Sequence, residues 1–215
     1  VDETRYMYAA WEMHLRGNWL TPLTVNFLPY HHKPPLLFWL INAAWTVFGV
    51  SRWAALIPIM LSAGLCVLLM ERLARALFPG SGQNSSAPGY LLLGSVPFLI
   101  YGTLVMFDVT LTVFVLWAFL HLLRFAQTRQ KVDIAWMALA IGLGVLTKGP
   151  VAWLYVIFPM ILGRFWLPPG RADRDWYLGC LYAVLLSALP VMAIKVRLWR
   201  RRCGRRLSSS EVSPE

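Results

Sequence analysis

The chain has 215 residues, 58% of them hydrophobic and 14% charged, against about 45–50% and about 25% in a soluble domain, which excludes an ordinary water-soluble globule and a disordered chain. Its 20 Lys+Arg against 10 Asp+Glu read, in so apolar a chain, as membrane orientation. Nucleic-acid binding is excluded because the basic residues sit in loops and a tail without an interleaved aromatic platform, and unpaired spacing of Cys66, Cys180 and Cys203 excludes a disulfide framework.

In chain order, residues 2–17 predict a short amphipathic helix with Tyr6, Ala9, Ala10, Met13 and Gly17 on one face and a Gly-Asn stop. The uncharged stretch 34–50 opens with a Pro pair and carries Trp39, Asn42 and Trp45 at near-helical spacing. It predicts a helix lying in the membrane interface. A seventh span is disfavoured, because only Ser51 and Arg52 separate it from the next apolar run. Six runs then follow, 53–70, 89–107, 109–124, 134–147, 151–163 and 176–194, and each is read as a spanning helix, which needs about 20 mostly apolar residues. The expected fold class is all-α, a polytopic membrane helix bundle. Residues 1–52 form an interfacial segment, 53–194 the bundle, and 195–215 a basic tail without regular structure or not native to the chain.

Basic clusters orient the bundle. Arg72 and Arg75 follow the first span, Arg124, Arg129 and Lys131 the third, and Arg164, Arg171 and Arg174 the fifth. The positive-inside rule places these three clusters together on the cytoplasmic face. By alternation, residues 2–52, the turn at Asp108 and the turn at Lys148 then share the exoplasmic face.

Ionisable groups at the ends of apolar runs ask for a reason. Asp108, in Val105-Met106-Phe107-Asp108, and Lys148, in Leu146-Thr147-Lys148-Gly149-Pro150, suit equally a structural ion pair and a site. The exoplasmic segment adds Asp2, Glu3 and Arg5 and the run His31-His32-Lys33-Pro34-Pro35. The carboxylates suit helix capping, base catalysis or metal binding. Adjacent histidines without a second spaced pair are a weak zinc signal, and His14 and His121 read as structural or interfacial. Lys33, held by the prolines that follow, can present a fixed charge to a phosphate or meet lipid headgroups. Carboxylates and two lysines on one membrane face suit chemistry with a phosphate leaving group.

Asp2-Glu3-Thr4-Arg5-Tyr6, His32-Lys33-Pro34-Pro35-Leu36, Asp108 before Leu111-Thr112, and Leu146-Thr147-Lys148-Gly149-Pro150-Val151, in that order and spacing, resemble the lipid A aminoarabinose transferase and protein O-mannosyltransferase superfamily. These are multi-pass glycosyltransferases of the GT-C architecture that take a sugar from a polyprenyl-phosphate carrier. The resemblance implies a bacterial inner-membrane enzyme working at the periplasmic face, with membrane lipid as surroundings, a polyprenyl-phosphate sugar as donor substrate, lipid A or a protein as acceptor, and inversion at the anomeric carbon. It implies that Asp2 is the catalytic carboxylate, that Asp108 is a second acidic residue of the cavity, and that Lys33, Lys148 and Arg5 meet the carrier phosphate. Relatives commonly have Glu immediately before Lys-Pro-Pro where this chain has His32, so a divalent metal, if one is used, would be held by Glu3 and His32. A non-catalytic protein that binds lipid phosphates, or a transporter fragment, is the alternative.

One feature departs from that pattern. Residues 195–206 carry seven basic residues on the face that alternation makes exoplasmic, against the positive-inside rule. With a start other than Met, this predicts a piece of a longer protein that is inactive by itself.

Overall fold

The structure, a computed structural model, describes residues 2–17, 33–78 and 87–210, with side chains over 3–17, 33–78 and 87–193. Every regular element among the described residues is helical: α1 (Asp2–Arg16), α2 (Leu36–Phe48), α3 (Arg52–Leu77), α4 (Ala87–Leu93), α5 (Val96–Gly102), α6 (Phe107–Thr128), α7 (Lys131–Lys148), α8 (Val151–Ile161), α9 (Gly163–Trp166) and α10 (Arg174–Ser210). With no water in the bilayer to satisfy backbone groups, helices are the form such apolar runs must take.

Among the described residues, three helices are long and apolar enough to cross a membrane: α3, α6 and the stretch Arg174–Ala193 of α10. The six runs expected to span are therefore not six equal helices. Run 89–107 breaks into α4 and α5, because Gly94 and Ser95 interrupt the ladder and Pro97 supplies no amide donor to continue it. The pair nevertheless returns along α3: a Cβ on Gly89 would meet Glu71 and Val67, and one on Gly102 would meet Ala63. α8 has 11 residues, about 16 Å of helix, and two indoles close its end. Trp166 donates to the Pro159 carbonyl at 2.8 Å and Trp176 to that of Met160 at 3.1 Å. The tail, expected to lack regular structure or not to be native to the chain, is helical to Ser210 as the continuation of α10, in keeping with the helix-favouring Arg and Leu in it.

α3 and α6 run in the same direction. Ser62 and Thr110 are hydrogen-bonded at 3.3 Å, and the Cys66 thiol reaches the Val109 carbonyl. Such small polar contacts let membrane helices approach closely. α6 and α7 form a hairpin whose turn uses Arg129 in the left-handed region, φ 57°. α7 packs on α10 through Gly142, where a Cβ would stand 3.1 Å from the Ser187 carbonyl, and on α8 through Gly144.

α1 and α2 pack across one end of this bundle. The face expected for α1 is the buried one, since Tyr6, Ala9, Ala10 and Met13 are all in the core, while Gly17 lies exposed beyond the helix end. α2 has 13 residues, about 20 Å, too short to cross a core about 30 Å thick. Its Asn42 is fully buried and ties the two helices together. The amide donates to the carbonyls of Ala10 and Phe38 at 3.2 and 2.9 Å, and its oxygen faces His14 Nδ1 at 3.1 Å. His14 is thus structural, as expected.

The opposite end is a basic latch. Arg171 Nη1 donates to the carbonyls of Ala126 and Gln127, both at 3.1 Å, satisfying the last acceptors of α6. The Arg129 guanidinium lies over the rings of Phe125 and Trp176, 5.5 and 5.7 Å from their centroids, and bonds Asp173 at 3.0 Å. Its Nη1 is buried without a hydrogen-bond partner, and the ring faces beside the guanidinium offset part of that cost. Asp173 caps α10, accepting from the Trp176 amide at 2.9 Å. That amide and, after it, the Arg129 guanidinium hold the Asp173 carboxyl below its ordinary range, against the opposing effect of desolvation. A depressed carboxylate stabilises the fold above its unfolded pKa and loses that contribution as pH falls through the folded value. Acid is therefore expected to loosen this end, and Asp173→Asn to flatten that part of a thermal-stability profile against pH.

Gly179 permits the closest approach in the latch. A Cβ there would stand 2.4 Å from Phe125 Cζ and 2.7 Å from its Cε1, and the Phe125 ring is held by Trp176, stacked at 5.7 Å. The ring has nowhere to retreat. Gly179→Ala is expected to cost about 1–3 kcal/mol as overpacking, measurable as a lowered unfolding midpoint in detergent; an unchanged midpoint would show that the α6–α10 contact is looser than this.

Candidate functional site

The end of the bundle beneath α1 and α2 collects the residues that the sequence marked. Asp108 lies in the first turn of α6 and Lys148 in the last turn of α7. A carboxylate at a helix N-terminus and an ammonium at a C-terminus each complement the local dipole. Because α6 and α7 are antiparallel, these two termini meet, and Lys148 Nζ donates to Asp108 Oδ1. Asp108 remains 45% exposed and Lys148 26%, so the pair faces outward and can be reached by a ligand.

Gly149 makes the turn that follows Lys148. Its φ of 86° lies in the region that favours glycine, and its amide donates to the Val145 carbonyl at 2.8 Å. Pro34 packs over this turn, its Cγ 4.0 Å from where a Cβ on Gly149 would stand. The Lys33-Pro34-Pro35 segment is thereby seated on the Lys148-Gly149-Pro150 turn, and Pro150 directly precedes α8. Sequence separation hid this contact, since nothing local links residues more than a hundred positions apart.

Lys33 itself has no carboxylate within salt-bridge distance among the described residues, and its Nζ lies over the ring of Phe107, 5.8 Å from the centroid. Phe107 is 1% exposed and directly precedes Asp108. Tyr6 and Phe38 meet the same ring at near right angles, with centroids 4.8 and 5.5 Å away. Sequence reasoning quoted Phe107 only as a neighbour of Asp108 and gave it no role. Its signal was an aromatic residue directly before a helix-initiating carboxylate.

The remaining marked residues sit on or beside α1. Glu3 is paired with Arg52 at the start of α3, accepting from Nη2 at 3.2 Å and Nε at 3.3 Å. Arg5 lies exposed on α1 beside Tyr6. Asp2 begins α1, but its side chain lies outside the described residues, as does all of His31 and His32. The described residues contain no cluster of three or more His, Cys, Asp or Glu; Glu3 is held by Arg52, and His32, the other residue expected at a metal, lies outside the described residues.

These features define a class, a polytopic helical membrane protein with an ion pair and a second lysine gathered at one end beneath short helices. Residues 32–196 match the dolichyl-phosphate-mannose-protein mannosyltransferase family, and the chain belongs to that family. It is 31% identical over 210 residues to undecaprenyl phosphate-alpha-4-amino-4-deoxy-L-arabinose arabinosyl transferase 1 of Pseudomonas fluorescens, covering 93% of this chain and 37% of the relative. The corresponding transferase of Pseudomonas aeruginosa is 30% identical over the same shares. The crystal structure of ArnT from Cupriavidus metallidurans bound to undecaprenyl phosphate has the same fold, with a TM-score of 0.71 at 24% identity over 92% of this chain and 37% of that one. The chain thus spans little more than a third of the length of these relatives.

Proposed function

We propose that this chain carries the donor-phosphate end of a glycosyltransferase that moves a sugar from a polyprenyl-phosphate carrier to lipid A or a protein at the periplasmic face of a bacterial inner membrane. The observation that carries this reading is the convergence of Lys33, Asp108 and Lys148 at one end of the bundle, through the Phe107 and Gly149 contacts. The names of the relatives, which specify an undecaprenyl phosphate carrier and an aminoarabinose, support the donor class. Sidedness is supported by the basic clusters. The ends of α3, α6 and α8 come together around Leu73, Leu77, Leu122, Leu123 and Trp166, opposite the proposed site, and the positive-inside rule supports reading the basic residues near that end as cytoplasmic.

In this mechanism the bond between the anomeric carbon and the phosphate oxygen breaks, its electron pair leaving with the phosphate. The phosphate gains charge as it leaves, and the ammonium groups of Lys33 and Lys148, with the Arg5 guanidinium, stabilise that charge without reorganising. Asp108 holds Lys148 in place. Asp2 orients the acceptor hydroxyl and takes its proton while the acceptor oxygen forms the new bond. Attack from the face opposite the phosphate inverts the anomeric centre.

The reading is tested by replacing the corresponding third of the Pseudomonas fluorescens relative with residues 1–193 of this chain and assaying sugar transfer from an undecaprenyl-phosphate donor to lipid A. A chimera that transfers sugar, and stops when Asp2→Asn is introduced, supports the proposal. A stably folded chimera that binds undecaprenyl phosphate without transfer refutes it in favour of a non-catalytic lipid-phosphate-binding protein.

A further inference from the structure

The polar groups of the proposed site come from separate segments, α1, the 33–35 turn, α6 and α7, and one buried ring lies where three of these segments and α2 meet. Phe107 meets Tyr6 of α1, Phe38 of α2 and the ammonium of Lys33, and through the backbone it sets the first turn of α6, where Asp108 holds Lys148. Lys33 has a four-carbon stem with much rotamer freedom. Pro34 anchors its backbone on the Gly149 turn, yet this does not fix the ammonium. A carboxylate partner, as Asp108 is to Lys148, would fix it but would also offset part of its charge. The face of an aromatic ring attracts a cation while leaving its full positive charge for an anion.

We propose that Phe107 is a positioning residue for the donor phosphate, its ring holding the Lys33 ammonium in register with the Asp108–Lys148 pair. The proposal rests on the reading of this end as a phosphate site and adds the residue that organises it. Phe107 does not touch the phosphate; it acts through Lys33. Its two aromatic neighbours keep the ring from turning, because Tyr6 and Phe38 both lie nearly perpendicular to it, at 89° and 87°. The same contacts couple α1, which begins at Asp2, to the cation that would meet the leaving group.

A purely apolar plug would predict the same burial, so the test must separate ring electronics from volume. Fluorinated phenylalanines are introduced at position 107 of the full chain in lipid nanodiscs, a series that nearly preserves shape while removing the negative ring face. Acetylation of Lys33 is followed by mass spectrometry, with Lys148 as internal reference, and undecaprenyl phosphate binding is measured on the same samples. Increasing fluorination is expected to raise Lys33 acetylation and weaken undecaprenyl phosphate binding, each by about two- to five-fold, the scale of an exposed cation–π contact, while Lys148 acetylation stays constant. Phe107→Leu is expected to match the fully fluorinated ring. Lys33 acetylation that is flat across the series overturns the proposal. If the unsubstituted chain binds no undecaprenyl phosphate, the functional reading falls, while the Lys33 response still decides whether the ring positions that lysine.

Discussion

Lys148→Ala is expected to weaken binding of undecaprenyl phosphate to the chain by about 10- to 100-fold, the range of a lost hydrogen bond to a charged group. In the active chimera it is expected to lower turnover by about 10²- to 10³-fold, as for loss of one preorganised donor at a developing negative charge. The substitution removes a cation and also bares Asp108, 45% exposed, as a negative charge facing the incoming phosphate. A double mutant separates these effects. If the pair is only structural, Lys148→Ala with Asp108→Ala should bind the carrier as well as the unsubstituted chain. If Lys148 meets phosphate, the double mutant regains the part owed to repulsion and remains defective. Asp108→Ala alone should disturb binding less, because Lys148 keeps its charge and loses only its anchor.

His121→Leu is expected to destabilise the fold by about 3–5 kcal/mol, because removal of one partner strands the other as a buried charge. His121 Nδ1 and Asp133 Oδ1 are 2.8 Å apart, with side chains 8% and 9% exposed, linking α6 to the first turn of α7. Thr128 donates to the other carboxylate oxygen at 3.1 Å, and the His121 ring stacks at 6.2 Å on Trp136. Without the imidazole, Asp133 retains one side-chain donor in an apolar setting. The converse change, Asp133→Leu, should cost less, since the imidazole loses one hydrogen-bond partner and keeps its stacking on Trp136. The double replacement by leucine should recover much of the loss, as apolar packing can substitute for a buried pair. Urea or thermal unfolding in detergent measures all three, and equal losses from the two single variants would contradict this account of the pair.

The fold was legible in the sequence where a local rule governed it. The buried face of α1 followed from apolar spacing, the shortness of α2 from its Pro pair and the Ser51-Arg52 break, and α3 and α6 from uncharged length. Run 89–107 was misread because hydropathy sums over residues and does not register that Gly94, Ser95 and Pro97 together break a hydrogen-bond ladder. The tail continues α10 to Ser210. Its charge obscured a helix that Arg and Leu favour and that α10 had already nucleated.

The candidate site was legible residue by residue but not as an arrangement. Membrane alternation alone put Asp108, Lys148 and Lys33 on one face. It could not show that Pro34 sits on Gly149 or that Lys33 finds the Phe107 ring, because both contacts depend on how α2 crosses the bundle end. The Glu3–Arg52 pair was equally hidden, and it links α1 to α3.

The proposed function stands on Lys33 and Lys148 binding the phosphate of a polyprenyl carrier together. It is tested most directly by titrating undecaprenyl phosphate into the chain in nanodiscs, with undecaprenol as the uncharged control, and repeating the titration with Lys33→Ala, Lys148→Ala and both. The account predicts saturable binding that requires the phosphate, falls by about 10-fold or more with either substitution and is abolished by the two together. Equal binding of undecaprenol, or binding of the phosphate unaltered in the double variant, would contradict it.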